Sequence, residues 1–449
     1  MAGIFALSIN PERYKDRFLD DLFWGTFYVQ HFGEDYAGLS TYSDKKGIKI
    51  RTHRGLFRPT FSEDMESMDG TEGIGYCGLD REPFLVSSRL GKFSICFSGN
   101  IINLTDLEEE FEKTGHVFQR ADDIEIIAKL IVQKDNIIEG IFSMAKRVLG
   151  AYSLLILCKE GIYAVRSPMA HFPLVIGEKE GAMVVSSSSS GFRNINFGLF
   201  RDLQPGEIVL MKNDSLKTKG KIEGKRVQFC SFFWVYTAFP SAIIEKIPAS
   251  LVRKRLGAAL ARRDIKKGFI PDIVVPMPES GRFHAIGYHQ EFCLAASRGE
   301  IKKIPLYDEL LIKYPYTGRS FIPRHQKDRD KEDQVKILET GEDFKGKIVV
   351  ICGDSIVRGT QIERNLVPKL KKAGIRKIHL RISNPELLSY CPWEKATKEG
   401  ELFSSRFSSI KEKIRFLGVE SLEYNSIDDL LKAIGLPKEK LCVDCILNK

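Results

Sequence analysis

The chain has 449 residues, room for two domains or more, and its 43% apolar and 28% charged residues are the balance of a soluble chain with full-sized cores. Its formal charge of +9 suits the handling of anions. Lys and Arg are nevertheless interleaved with Asp and Glu, as in Lys327 to Asp333, and no basic stripe carries aromatics, so a nucleic-acid partner is not expected. No segment approaches the roughly 20 apolar residues that span a bilayer, and Met1 to Arg17 lacks the basic start and long apolar run of a signal peptide. A cytoplasmic address with no membrane partner follows, and with it nine cysteines that are reduced or bound to metal rather than paired in disulfides.

In chain order, Gly3 to Leu7 reads as an opening strand and Ala151 to Leu157 as a buried one. The serine run Ser186 to Ser190 follows apolar Met183 to Val185, which makes it a strand-end loop rather than a linker. Pro205-Gly206-Glu207 turns into a strand at Ile208 to Leu210, and the polar stretch Lys217 to Arg226 is the best candidate for a linker. Beyond it strands and helices alternate. Asp272 to Pro276 leads to the turn Glu279-Ser280-Gly281. Lys347 to Cys352 leads through a loop to a helix from about Gln361 to Ala373, and Lys377 to Ile382 is the next strand. Strand-helix-strand spacing of this kind implies parallel pairing and an α/β second half.

The loop Asp354-Ser355-Ile356-Val357-Arg358-Gly359-Thr360 lies between such a strand and its helix. Ligands bind outside the carboxyl ends of parallel strands, and a helix start offers unpaired N–H groups and the positive end of a dipole to a phosphate. Gly359 lets the backbone approach an anion, Ser355 and Thr360 supply hydroxyls, and Thr360 with Glu363 fits a capping box. Asp354 can accept from ribose hydroxyls or hold magnesium. Among neighbouring residues, Trp234 reads as core, while His284 reads as a surface residue or a ligand contact.

This loop resembles the phosphoribosyl pyrophosphate motif of the glutamine amidophosphoribosyltransferase family. Pro278 to Gly281 resembles that family's pyrophosphate loop, and Gly318-Arg319-Ser320-Phe321-Ile322 its closing loop. The resemblance implies an N-terminal-nucleophile, glutamine amidotransferase-like αββα sandwich over residues 1–225. Residues 226–449 would form a type I phosphoribosyltransferase domain, Rossmann-like with a parallel sheet. By position, Glu279, Ser280, Gly281, Arg319, Asp354, Ser355, Ile356, Val357, Arg358, Gly359 and Thr360 would bind the ribose phosphate, with Ser280 and Asp354 also meeting magnesium. Three departures stand out: Gly353 replaces the first of two acids, Glu279 replaces an Asp, and Pro315 stands where an Arg is usual.

In the resembling enzymes a Cys thiol at the mature N-terminus attacks the glutamine amide. Here Ala2 occupies that place, and its methyl group has no lone pair to attack with. Phe32, Glu34 and Tyr36 replace an Arg, a Gln and a Ser, and Tyr76-Cys77-Gly78 replaces the Arg-Tyr-Ser run that anchors the substrate carboxylate. Gly99 and Asn100, as the oxyanion-hole pair, and Asp123, facing the substrate amino group, remain. The resemblance therefore implies a retained fold without glutaminase chemistry, in which Cys77 is a core thiol rather than a substitute nucleophile.

Cys442-Val443-Asp444-Cys445, taken alone, fits zinc, a redox pair or chance. Cys230, Cys391, Cys442 and Cys445 together match the ligand positions of the family's iron–sulfur branch. This implies a four-iron, four-sulfur cluster, with tetrahedral zinc as the lesser alternative. Two functions are compatible with these residues. One is transfer of a phosphoribosyl group to ammonia or another nitrogen nucleophile; the other is a non-catalytic ribose phosphate sensor or scaffold. The resemblance further implies a homo-oligomer.

Overall fold

The structure, a computed structural model, describes residues 1–61, 64–314, 337–339, 344–394 and 400–447. The chain divides into two compact units. The first is Met1–Cys230 with two short returns, Ser241–Lys246 and Pro392–Lys395; the remainder forms the second.

The first unit contains two antiparallel sheets. In chain order its strands are β1 (Gly3–Ile9), β2 (Tyr36–Ser43), β3 (Gly47–Arg54), β4 (Glu72–Gly78), β5 (Phe84–Ser88), β6 (Gly91–Ile101) and β7 (Gly150–Cys158). They continue as β8 (Gly161–Arg166), β9 (Val175–Lys179), β10 (Ala182–Ser186), β11 (Gly198–Asp202), β12 (Glu207–Lys212) and β13 (Ser215–Lys221). One sheet has the order β11-β9-β10-β1-β4-β2-β3, the other β13-β12-β8-β7-β6-β5.

Both sheets are apolar on both faces, because successive strand residues point to opposite sides. Ile4 and Ala6 of β1 join Leu155, Leu157, Ile162, Ala164 and Val209 in a core between the sheets. Phe5 and Leu7 face the other way, against Phe18 and Leu22 of the helix α1 (Phe18–Phe27) and Phe57 and Phe61 of α2 (Phe57–Phe61). On the far side Phe93, Ile95, Leu154 and Ile156 pack against α3 (Leu104–Lys113), α4 (Asp123–Ile131) and α5 (Ile137–Arg147). Helix, sheet, sheet, helix is the αββα sandwich expected. The serine run is indeed a strand-end loop following β10. Only the second half of the expected linker is coil: Lys217 to Lys221 lie in β13, paired with β12, and Ile222 to Arg226 lead to the change of units after Cys230. The polar residues of β13 are the solvent face of an edge strand, and such a face reads from sequence like a linker.

Three two-residue strands follow: β14 (Phe229–Cys230), β15 (Ile243–Ile244) and β16 (Ile247–Pro248). The second unit is built on a parallel sheet of β17 (Ile273–Pro276), β18 (Leu306–Tyr307), β21 (Ile348–Gly353), β22 (Lys377–Ile382) and β23 (Ser421–Tyr424), in the order β18-β17-β21-β22-β23. A small antiparallel pair, β19 (Leu311–Lys313) and β20 (Ile337–Glu339), lies beside it in sequence. Val274, Val350 and Cys352 face Leu260 of α6 (Ala249–Lys266) and Ala285, Tyr288 and Phe292 of α7 (Arg282–Ser297). Ile273, Val275, Val349 and Ile351 face Ile362, Leu366 and Leu370. The parallel pairing expected for β17, β21 and β22 is thus present, with helices on both faces.

His284 is neither at the surface nor in position to meet a ligand. It is fully buried, its Nε2 lies 3.2 Å from the Val235 carbonyl, and burial pushes its pKa down to about 3. Trp234 is core, as expected; it lies in a π-helical turn, Phe233–Thr237, whose carbonyls accept from buried Arg253.

Candidate functional site

Two loops meet at the carboxyl edge of the parallel sheet. After β17 the chain turns through Met277 to Ser280, and the Met277 N–H donates to the Cys352 carbonyl at 2.9 Å, which carries the first loop to the end of β21. Gly281 closes this turn onto the Met277 carbonyl at 2.7 Å. A Cβ at Gly281 would stand 2.2 Å from the Cys352 oxygen, so only glycine fits. The second loop begins at Asp354, directly after β21.

Asp354 is 6% exposed, and both of its oxygens are engaged. The Ser280 hydroxyl donates to Oδ1 at 2.9 Å and the Ser355 hydroxyl to Oδ2 at 3.0 Å. Burial pushes the carboxyl above its ordinary pKa, and the two hydroxyls oppose that shift. Glu279 points instead toward Arg282, at 2.8 Å, and Arg282 also grips Glu309 at 2.9 and 3.0 Å.

Ile356 anchors the loop in the core. Gly359 has φ of 77°, a conformation that suits glycine. The helix is entered one residue earlier than the expected capping box requires: Thr360 is already helical, and the Glu363 N–H bonds the Gly359 carbonyl at 3.1 Å. The helix opens as a wide π-helical stretch, Ile362–Leu366, before Val367–Lys372, which contains Pro368. The missing N–H of Pro368 removes one regular rung there. The first N–H groups of this helix are the donors that a regular helix leaves without internal partners. Arg319 and Pro315, with the expected closing loop, lie outside the described residues.

At Gly353, where an acid was expected from the resemblance, a Cβ would meet only Ile382 Cδ1 at 3.2 Å. Space there does not dictate glycine.

Around Ala2 the picture differs. Ala2 is buried, its N–H donates to Ser98 Oγ at 3.1 Å, and the Ser98 hydroxyl donates back to the Ala2 carbonyl at 2.6 Å. The Tyr76 ring packs in the same core cluster as Ala2, and its hydroxyl accepts from the Asp80 N–H at 3.2 Å. Asn100 donates its amide to the Pro392 carbonyl at 2.8 Å, and Trp393 of the same returning segment lies 5.9 Å from the His171 ring. Gly99 lies flat against Ala151 and Tyr152, where no Cβ would fit. Asp123 accepts from the Ile101 N–H at 2.8 Å, a bond that ties α4 to β6. Cys77 points the other way, into the helix-facing core, where burial pushes its thiol far up.

Known proteins with this sequence pattern and fold bear on the site. Residues 77–194 match the glutamine amidotransferase domain family. The amidophosphoribosyltransferase of Methanocaldococcus jannaschii is 34% identical over all of this chain and 97% of its own length. That of Methanothermobacter thermautotrophicus is 34% identical over 98% of this chain and 92% of its own. This chain belongs to the amidophosphoribosyltransferase family. Among solved structures, the glutamine phosphoribosylpyrophosphate amidotransferase of B. subtilis, complexed with ADP and GMP, superposes with a TM-score of 0.86 at 27% identity, covering 100% of this chain and 96% of that one.

Within this amidophosphoribosyltransferase fold, Asp354, Ser280, Ser355 and Gly281 are brought together, whereas Glu279 turns away to Arg282. Ser98, not Asn100, is the residue bonded to Ala2; sequence reading missed it because a serine inside an apolar strand carries no signal of its own. Of the four expected metal ligands, Cys442 and Cys445 flank a short turn at the C-terminal end of the described chain. Ser389, two residues before Cys391, donates its N–H to the Cys445 carbonyl at 3.1 Å. Ser231, the residue after Cys230, donates its hydroxyl to the Cys442 carbonyl at 2.8 Å. Among the described residues no three His, Cys, Asp or Glu side chains converge on a single metal ion, and no helix is long and apolar enough to cross a membrane.

Proposed function

We propose that this chain binds phosphoribosyl pyrophosphate and transfers its phosphoribosyl group to ammonia or another nitrogen nucleophile, without hydrolysing glutamine. The observation that carries the reading is the buried Asp354 carboxylate, held by the Ser280 and Ser355 hydroxyls between two loops at the sheet's carboxyl edge. The shared name of two relatives, amidophosphoribosyltransferase, supports the phosphoribosyl-transfer part of this reading. The Thr360 helix start would take the 5′-phosphate on backbone N–H groups, and Asp354 would orient ribose hydroxyls. A carbon–nitrogen bond forms at the anomeric carbon as the carbon–oxygen bond to pyrophosphate breaks. Pyrophosphate leaves with the electron pair, and the nitrogen sheds a proton to solvent.

Asp354 and Ser280 form the oxygen donor set that magnesium favours, and they would hold that ion, whose charge would offset that of the leaving pyrophosphate. Cys230, Cys391, Cys442 and Cys445 would hold a four-iron, four-sulfur cluster as a structural tie, with zinc the lesser alternative. The Ser389 bond to the Cys445 carbonyl supports this by drawing the neighbourhood of Cys391 to the turn between Cys442 and Cys445. Loss of glutaminase chemistry is supported by the Ala2 methyl and by Ser98 occupying both main-chain groups of that residue.

Incubation with phosphoribosyl pyrophosphate, magnesium and ammonia is expected to release pyrophosphate, and glutamine in place of ammonia is expected to release none. Ligand binding without release across a panel of amines would instead assign the chain the role of a ribose phosphate sensor. Gly353, which leaves the site with one acid fewer, favours that second reading.

A further inference from the structure

The phosphate loop is held from outside by a segment that nothing in its sequence marks. The Arg358 guanidinium, 18% exposed, is paired with the Glu401 carboxylate. Two residues on, the Phe403 N–H donates to the Val357 carbonyl at 2.7 Å. The Phe403 ring lies against Gly359, where a Cβ would meet Cδ2 at 2.7 Å. Arg406 then donates to the Arg358 carbonyl at 3.2 Å. The clasp is itself braced: Phe403, Phe407 and Phe416 pack at ring separations of 5.0 to 6.0 Å, the Arg406 cation stands 4.7 Å over Phe416, and the Ser404 hydroxyl donates to the Leu387 carbonyl.

We propose that Glu401 to Arg406 is a clasp that sets the shape of the phosphate loop, with Glu401 and Phe403 as positioning residues and Arg358 serving the clasp rather than the ligand. This rests on the phosphate reading of the loop given above. Three consecutive loop residues, Val357, Arg358 and Gly359, are each tied to it, so the backbone amides beyond them keep one arrangement with or without an anion. Pre-organised donors of this kind bind more tightly because little ordering cost remains at the moment of binding.

Charge gives the inference a sign that can be tested. If Arg358 were the phosphate's own cation, removing the competing Glu401 would strengthen binding, because a nearby negative charge is lost and a guanidinium released. If the clasp sets the loop, the same change weakens binding. Isothermal titration of the full chain with ribose 5-phosphate tests this for Glu401→Gln, Arg358→Gln and the double variant, with thermal melting as a control for folding. The expected result is a Kd about tenfold higher for each single variant, and a double variant no weaker than either, as for two halves of one device. Unchanged or tighter binding by Glu401→Gln overturns the clasp. Should that variant fail to fold, Arg358→Gln against the double variant decides: equal affinities support the clasp, and a double variant that regains affinity overturns it. A wild-type chain that binds no ribose 5-phosphate would instead overturn the phosphate reading, and the clasp with it.

Discussion

Asp354 would pair the function proposed for it with a stability cost, and the two separate by pH. Because burial raises its folded pKa above the unfolded value, the folded state holds the proton more tightly. Its contribution to stability is therefore fully present at acid pH and is lost as pH rises through the folded pKa. Asp354→Asn is expected to raise the melting temperature at pH 7.5 by roughly 2–4 °C, the equivalent of about 1 kcal/mol in a unit of this size. That gain should vanish at a pH below the ordinary carboxylate range, while ribose 5-phosphate affinity with magnesium falls by about tenfold or more. Calorimetry at two pH values and one titration check both halves. That Asp354, Ser280 and Gly281 lie in loops leaving the carboxyl ends of strands was legible in the sequence from the apolar runs before them. Ser98 and Glu401 were not, since each acts through a partner 96 or 43 positions away. His284 was misread for a related reason: a histidine following a loop carries no sign of the helix that covers it.

The strands of both units were readable as apolar runs, and the parallel pairing followed from their spacing with helices. What joins helix to sheet was not readable. Arg381 on β22 reaches the Asp264 carboxylate on α6 at 2.6 and 2.9 Å, and the Tyr288 hydroxyl of α7 donates to the same carboxylate at 2.6 Å, all inside the core. Arg381→Met would leave that charge unpaired, a loss expected near 3–5 kcal/mol and visible in denaturant unfolding followed by a probe in the second unit. Asp264→Leu combined with Arg381→Met is expected to recover most of it, since no buried charge then remains. At the phosphate loop, Gly359→Ala should cost about 1–2 kcal/mol from the positive φ alone, with further loss from the Phe403 ring. The expected capping box failed because Thr360 and Glu363 have the right spacing but Thr360 is already the first helical residue, which leaves Gly359 in the capping position.

Across the molecule the two units carry separate expectations: the second presents Asp354 at its sheet edge, and the first holds Ala2 in a buried core. If the four cysteines hold a cluster, protein purified without oxygen is expected to be brown, with iron and acid-labile sulfide in near-equal amounts, and Cys442→Ser and Cys445→Ser should each lose both. Zinc without sulfide would select the other metal. The bonds between Ser98 and Ala2 carry a last consequence. A thiol placed by Ala2→Cys would sit where that residue's own N–H and carbonyl are both bonded to Ser98, and on the function proposed above no ammonia is expected from glutamine in a coupled assay. If glutaminase chemistry is absent, one letter would not restore it, because the Ser98 partnership would have to be reopened as well.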